Sequence, residues 1–201
     1  ITVFYLGSKV QYGNPPVDKI CEDTPMMPLD IQGINKLAAE NYYRVYSKFK
    51  NFNVISLRIP NCYGKNQVLG DSDIGLIGNF IRDSLSDKKI DIFGEDRKRS
   101  VLFARDLSKL IIKLMDIKHR GFEAYNVPGQ LISIYNLAKE IIRLTKHGEL
   151  SCQPLPEEIK MIDMHSAIYL DEKLKSKISG FEYSDLSDSL AETIEYFKVE
   201  K

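Results

Sequence analysis

The chain reads as an α/β fold built on parallel strands. Two apolar runs, over residues 1–6 and 53–58, flank a stretch over 30–49 whose apolar residues recur at helical spacing. A strand–helix–strand order of this kind makes a βαβ unit with parallel strands. Both runs lack strict alternation, as expected of strands covered on both faces.

The elements follow in order. Residues 1–6 (ITVFYL) form a buried strand that ends at Gly7-Ser8. The helix over 30–49 carries Ile34, Leu37, Ala38, Tyr42, Val45, Tyr46 and Phe49 at helical spacing, with Asp30 as N-cap after Pro28. The second buried strand runs over 53–58, and Pro60 ends it. A helix is expected at 74–85, a strand at 90–93 stopped by Gly94, and a further strand at 101–104. An amphipathic helix follows at 105–115, then a short strand at 125–127. Ser133 starts a helix over 133–144, which Lys146-His147-Gly148 stops. Residues 155–160 form an ordered loop, and helices near 171–177 and 186–197 close the chain. Gly, Asn and Asp cluster over 62–71 and mark a boundary.

With 201 residues, 43% of them hydrophobic, the chain can bury a substantial core. Lys and Arg (28) balance Asp and Glu (28), so no basic face for nucleic acid or an anionic membrane is expected. A local basic pocket for a phosphate-bearing small molecule stays open. Cys21, Cys62 and Cys152 have no metal-ligand spacing, and three thiols cannot all pair. The reading is therefore a cytoplasmic, reducing setting without a metal site. No apolar stretch approaches the roughly 20 residues needed to span a bilayer. A chain whose first residues already form a sheet strand is expected to be part of something longer.

Two groups of residues carry the chemistry. In Gln32-Gly33-Ile34-Asn35-Lys36, the four-residue spacing puts Gln32 and Lys36 on one helix face. Ser8 stands at a strand end, and Asn61, within Arg58-Ile59-Pro60-Asn61-Cys62-Tyr63-Gly64, lies just past another. In an open α/β sheet those positions converge, because ligands bind outside the carboxyl ends of the strands. This order and spacing resembles the second half of the extended short-chain dehydrogenase/reductases, the NAD-dependent nucleotide-sugar epimerases and dehydratases. The resemblance implies the C-terminal part of a Rossmann-like parallel sheet over 1–65. Residues 66–201 become a smaller mixed α/β substrate-binding region, able to return one strand and helix to the sheet.

Roles follow from that resemblance. Ser8 is the hydrogen-bond partner of the substrate oxygen; the plainer alternative is a Ser that satisfies backbone groups at a strand end. Lys36 binds the nicotinamide ribose; the alternative is an exposed helix Lys paired with Glu40 at i+4. Ile59 and Pro60 pack near the nicotinamide. Asn61 contacts the nucleotide sugar, or else caps a turn. Arg99 forks onto the diphosphate, or belongs to a solvated turn with Arg97 and Lys98. Phe93 lies on the strand that meets the nucleobase, and Asn126, in Asn126-Val127-Pro128-Gly129, shapes the nucleotide pocket. Of the three His residues, only His165 is placed to reach substrate.

Gln32 departs from the family pattern, which has Tyr there. A Gln amide can orient a hydroxyl but cannot titrate, so it cannot be a general base. Tyr12, Lys9, Cys62 or a bound water remain as bases. The block from Pro16 to Glu40 resembles a Tyr-lacking subgroup of the family, in which Gln32 is a shared trait. No Asp-Glu pair flanks Ser8, which argues against a standard 4,6-dehydratase. No G-x-x-G-x-x-G or G-x-G-x-x-G occurs, so the turn that cradles a dinucleotide pyrophosphate is expected in a preceding half.

The expectation is an NAD-dependent nucleotide-sugar epimerase, with dehydratase second, acting by transient sugar oxidation as a homodimer. Without its N-terminal half the chain alone is expected to be inactive. The rival is a non-catalytic homologue that binds a nucleotide sugar or a partner.

Overall fold

A computed structural model describes residues 1–67, 75–163 and 167–199. In chain order its elements begin with β1 (Thr2–Ser8), a 3-10 turn (Lys9–Tyr12), β2 (Lys19–Ile20), α1 (Ile31–Lys50), β3 (Asn53–Ile59) and β4 (Asn61–Tyr63). Then come α2 (Leu76–Leu85), β5 (Lys89–Phe93), β6 (Lys98–Phe103), α3 (Ala104–Met115), β7 (Phe122–Asn126) and β8 (Gln130–Ser133). The rest are α4 (Ile134–Thr145), β9 (Glu149–Gln153), α5 (Glu157–Ile162), β10 (Ile168–Tyr169), α6 (Glu172–Lys177) and α7 (Leu186–Val199).

The chain forms two units, each drawn from three segments: residues 1–60, 108–128 and 158–182 in the first, 61–107, 129–157 and 183–201 in the second. The first unit holds a parallel sheet in the order β1-β3-β7. Val54, Ile55 and Leu57 of the central strand β3 have no exposed surface, as a strand covered on both faces requires. Here β1 differs from the expected buried strand. It has one neighbour in the sheet, and Leu6 is 38% exposed.

Helix α1 starts where the sequence indicates. Asp30 accepts a hydrogen bond from the Gly33 amide at 2.6 Å, which satisfies one of the orphan donors of the first turn. Gly33 is needed for another reason. A Cβ there would lie 2.7 Å from Pro28 Cβ and 2.8 Å from the Val10 carbonyl oxygen, so only glycine lets this turn press against the segment after Ser8.

The second unit packs α2, α4 and α7 with β5 and β6 around Phe80, Ile81, Ile92, Leu137, Ile141 and Leu190. Its strand pairs β4–β6 and β5–β9 are parallel, while β6–β8 is antiparallel. Ser133 caps α4 by accepting from the Asn136 amide, and Lys146 ends that helix in the left-handed conformation (φ 65°). Residues 157–162 are helical where a loop was expected, and β2, β4, β8, β9 and β10 were not anticipated. β9 reads Glu-Leu-Ser-Cys-Gln and is half-exposed, so its sequence lacks the apolar run of a buried strand. β2 and β10 have two residues each and take their register from one another. Among the described residues no helix is long and apolar enough to cross a membrane.

Truncating Ile141, which is fully buried on α4, leaves a cavity among packed neighbours. Ile141→Ala is expected to lower unfolding free energy in urea by about 2–5 kcal/mol. Ile112→Ala, on a side chain 61% exposed, should change it by no more than about 0.5 kcal/mol.

Candidate active site

The carboxyl ends of three adjacent parallel strands come together in the first unit. Ser8 of β1 is in register with Ile59 of β3, and Arg58 with Asn126 of β7. Ser8 leaves the strand in extended conformation and caps the following turn, its Oγ accepting from the Val10 amide at 3.4 Å. Ile59 is half-buried beside it, and Pro60 is buried.

Lys36 reaches the same strand end from α1. Its Nζ donates to the Leu6 carbonyl at 2.8 Å, two residues before Ser8, and lies 5.6 Å from the centre of the Tyr5 ring. Tyr5 braces the helix in return, its hydroxyl donating to the Lys36 carbonyl at 2.9 Å. The i+4 pairing of Lys36 with Glu40 is not formed: Glu40 is turned inward and saturated by other donors. Gln32, one turn before Lys36, is exposed, and its amide makes no hydrogen bond among the described residues.

Beneath this surface lies a buried ion pair. Glu40, with no exposed surface, accepts from Arg58 Nη2 at 2.7 Å and Nε at 3.2 Å, from Ser56 Oγ at 2.7 Å and from Gln11 Nε2 at 2.9 Å. Arg58 is 1% exposed and also donates through Nη1 to the Tyr12 hydroxyl at 2.6 Å and the Glu22 carbonyl at 2.9 Å. Burial pushes the Glu40 carboxyl up, but the hydrogen bonds and charge of Arg58, with Gln11 and Ser56, hold it below its ordinary value.

Asn126 belongs to this network. Its Oδ1 accepts from Tyr12 at 2.7 Å, its Nδ2 donates to the Ile20 carbonyl at 3.2 Å, and the residue is fully buried. Its side chain therefore fixes the end of β7 from within. Tyr12, considered above as a base, is sealed between Arg58 and Asn126, and burial drives its phenol up to about 12 despite Arg58. It stays protonated at neutral pH. Lys9 is buried with its ammonium 5.9 Å from the Tyr169 ring centre.

The other named residues lie in the second unit. Asn61 opens β4 opposite Val101 of β6, and Arg99, two residues earlier on β6, is half-buried with Nη1 donating to the Lys98 carbonyl at 2.8 Å. Phe93 ends β5 and is 36% exposed; its carbonyl accepts from Arg97 at 2.9 Å. Burial pushes the Cys62 thiol up. His165 falls outside the described residues. No group of metal-binding side chains occurs among the described residues.

The sequence reading missed Glu40, Gln11 and Ser56 as a unit. A Glu on a helix and an Arg on a strand gave no sign of facing each other. The one available signal was two charged or polar positions, Ser56 and Arg58, inside an otherwise apolar strand.

Residues 1–128 match the model of the NAD dependent epimerase/dehydratase family. The chain belongs to that family. It is 25% identical over 203 residues to a putative UDP-glucose 4-epimerase of Methanocaldococcus jannaschii, covering 98% of this chain and 62% of the relative. It is 31% identical over 136 residues to a dTDP-4-dehydro-6-deoxyglucose reductase of Escherichia coli, covering 66% of this chain and 42% of the relative. The chain thus spans less than two thirds of these family members. All of it superimposes on 66% of MoeE5 in complex with UDP-glucuronic acid and NAD, with a TM-score of 0.84 at 22% identity. It likewise matches 64% of a UDP-N-acetylglucosamine 4-epimerase from Methanobrevibacter ruminantium M1, with a TM-score of 0.87 at 18% identity. These likenesses establish the family's Rossmann-like α/β fold for the chain.

Removing one partner of the buried pair tests its weight. Arg58→Met removes the closer counter-ion of the Glu40 carboxylate, leaving Arg44 at 3.5 Å, and should cost about 3–5 kcal/mol in urea unfolding at neutral pH. Because folding lowers the Glu40 pKa from its ordinary 4.5, its contribution is complete above that value and drains away as pH falls through the folded value. Glu40→Gln should abolish that part of the acid dependence in a pH series of melts.

Proposed function

We propose that this chain supplies the substrate side, and the last sheet strands, of an NAD-dependent nucleotide-sugar epimerase. Dehydration is the second choice of chemistry. The observation that carries the reading is the Lys36 ammonium on the Leu6 carbonyl, two residues from the Ser8 hydroxyl at a strand's carboxyl end. It has no carboxylate partner among the described residues, so its charge is available to a ligand.

The residues present fit the nicotinamide-ribose end of NAD: Lys36 to hold the ribose hydroxyls, Ile59 and Pro60 to pack beside the ring. The Gly-rich turn that cradles a pyrophosphate does not occur in this sequence, so none of its residues is assigned to that part of the cofactor. NAD, when bound, supplies a hydride acceptor and donor. The Ser8 hydroxyl then orients the reacting sugar oxygen, and the Gln32 amide can hold a neighbouring hydroxyl. The proton released as the sugar hydroxyl is oxidised passes to bound water, since the Gln32 amide cannot titrate and the Tyr12 hydroxyl is sealed. Asn61 and Arg99 would hold the nucleotide diphosphate, Arg99 through its guanidinium fork, with Phe93 near the base and Asn126 keeping the strand end in shape.

Gln32 also favours a second reading, a homologue that binds a nucleotide sugar or partner without turnover. Run on the full-length protein that carries this chain, calorimetric titration with UDP- and dTDP-sugars, and the absorbance of reduced nicotinamide after mixing with NAD, separate the two. Under the enzyme reading Lys36→Ala and Ser8→Ala each lower turnover about 100-fold or more. Sugar-nucleotide binding without reduced cofactor or product would instead establish the second reading.

The homodimer is proposed through α1. Ile31, Ile34, Tyr42, Val45, Tyr46 and Phe49 form an exposed apolar stripe along it, from 51% exposed at Val45 to 78% at Phe49. A Tyr42→Glu, Val45→Glu double variant should halve the mass seen by light scattering. An unchanged mass would rule out this face.

A further inference from the structure

We propose that Gln11 is the positioning residue of Ser8, tying the Ser8 backbone to the buried Glu40–Arg58 pair. The inference rests on the reading of Ser8 as the hydroxyl partner of the substrate. Gln11 has no exposed surface and no part in the chemistry described above. Its Oε1 accepts from the Ser8 amide at 2.7 Å, and its Nε2 donates to Glu40 Oε2 at 2.9 Å. An N–H and a carboxylate make opposite demands, so only one orientation of the Gln11 amide satisfies both.

The consequence is a short relay. Arg58 fixes the charge and position of the Glu40 carboxylate, Glu40 fixes the Gln11 amide, and Gln11 fixes the amide of the residue whose hydroxyl faces the site. The approach is close: a Cβ at Gly7 would lie 2.7 Å from Gln11 Oε1 and 3.3 Å from Ser56 Oγ, so any side chain there would have to displace the Gln11 amide. Ser8 Oγ is held at the same time by the Val10 amide. Replacing Gln11 by an apolar residue of similar size would orphan the part-buried Ser8 N–H and one lone pair of the fully buried Glu40.

The test uses Gln11→Leu in the full chain, with Gln11→Asn, whose amide is too short to span both partners, as the milder variant. Hydrogen exchange at the Ser8 amide should quicken about tenfold or more in either variant, while the Ile55 and Leu57 amides of β3 keep their rates. In the full-length enzyme, kcat should fall about tenfold or more with KM little changed, and Gln11→Leu should add almost nothing to the Ser8→Ala loss. Unchanged exchange at Ser8, or independent multiplication of the two losses, would overturn the proposal. If the full-length protein with Gln11 intact shows no turnover, the enzyme reading fails, and the exchange rates still decide whether Gln11 holds Ser8.

Discussion

Everything at the carboxyl end of the first sheet hangs on the Glu40–Arg58 pair. Two charges with almost no exposed surface are costly to bury, and the cost is offset only if their remaining donors and acceptors are also satisfied. Here they are. Ser56 of β3, Gln11 and Tyr12 of the turn after β1, Arg44 of α1 and the Glu22 carbonyl complete the set. The pair therefore does more than hold α1 on β3. It sets the mutual position of the turn after β1, the end of β3 and, through Tyr12 and Asn126, the end of β7. An apolar plug of the same volume could stabilise the unit as well, yet it would leave the neighbouring polar groups without partners.

The same arrangement explains which residues face outward. Glu40 turns in and Lys36, one turn earlier, is left to bind the Leu6 carbonyl at the rim. Gln32, a further turn back, stands in the open. Around that rim the side chains of Ser8 and Lys36 have main-chain hydrogen-bond partners only and the Gln32 amide has none among the described residues, whereas Glu40 and Arg58 below are richly bonded. A polar layer that is complete below and incomplete above is what a ligand site on a rigid base looks like.

Much of this was legible in the sequence, and the limits have physical causes. Helix α1, its Asp30 cap and strand β3 were readable because periodicity and capping are local. So were Ser133 and the Lys146 stop of α4. The short strands were not: two-residue pairs such as β2–β10 are defined by a partner far along the chain. Which residues stand at strand ends could be read from motif spacing, since order along the chain and position in a parallel sheet go together. What spacing could not supply is which way a side chain turns. Glu40 looked like a surface partner for Lys36 and is interior. Asn126 stood in a pocket motif, and its amide is engaged by Tyr12 and Ile20.

The first unit is stitched from three stretches of chain, and its smallest sheet joins Lys19 and Ile20 to Ile168 and Tyr169. During synthesis β1, α1 and β3 emerge early, but the unit stays unfinished until α6 has left the ribosome. Such distant closures make folding slow and leave Tyr12 and Ile20 waiting for Tyr169 to cover them. No single cut can divide this polypeptide into two self-sufficient pieces, so shortening it from the C-terminal side would damage the region around the first strand.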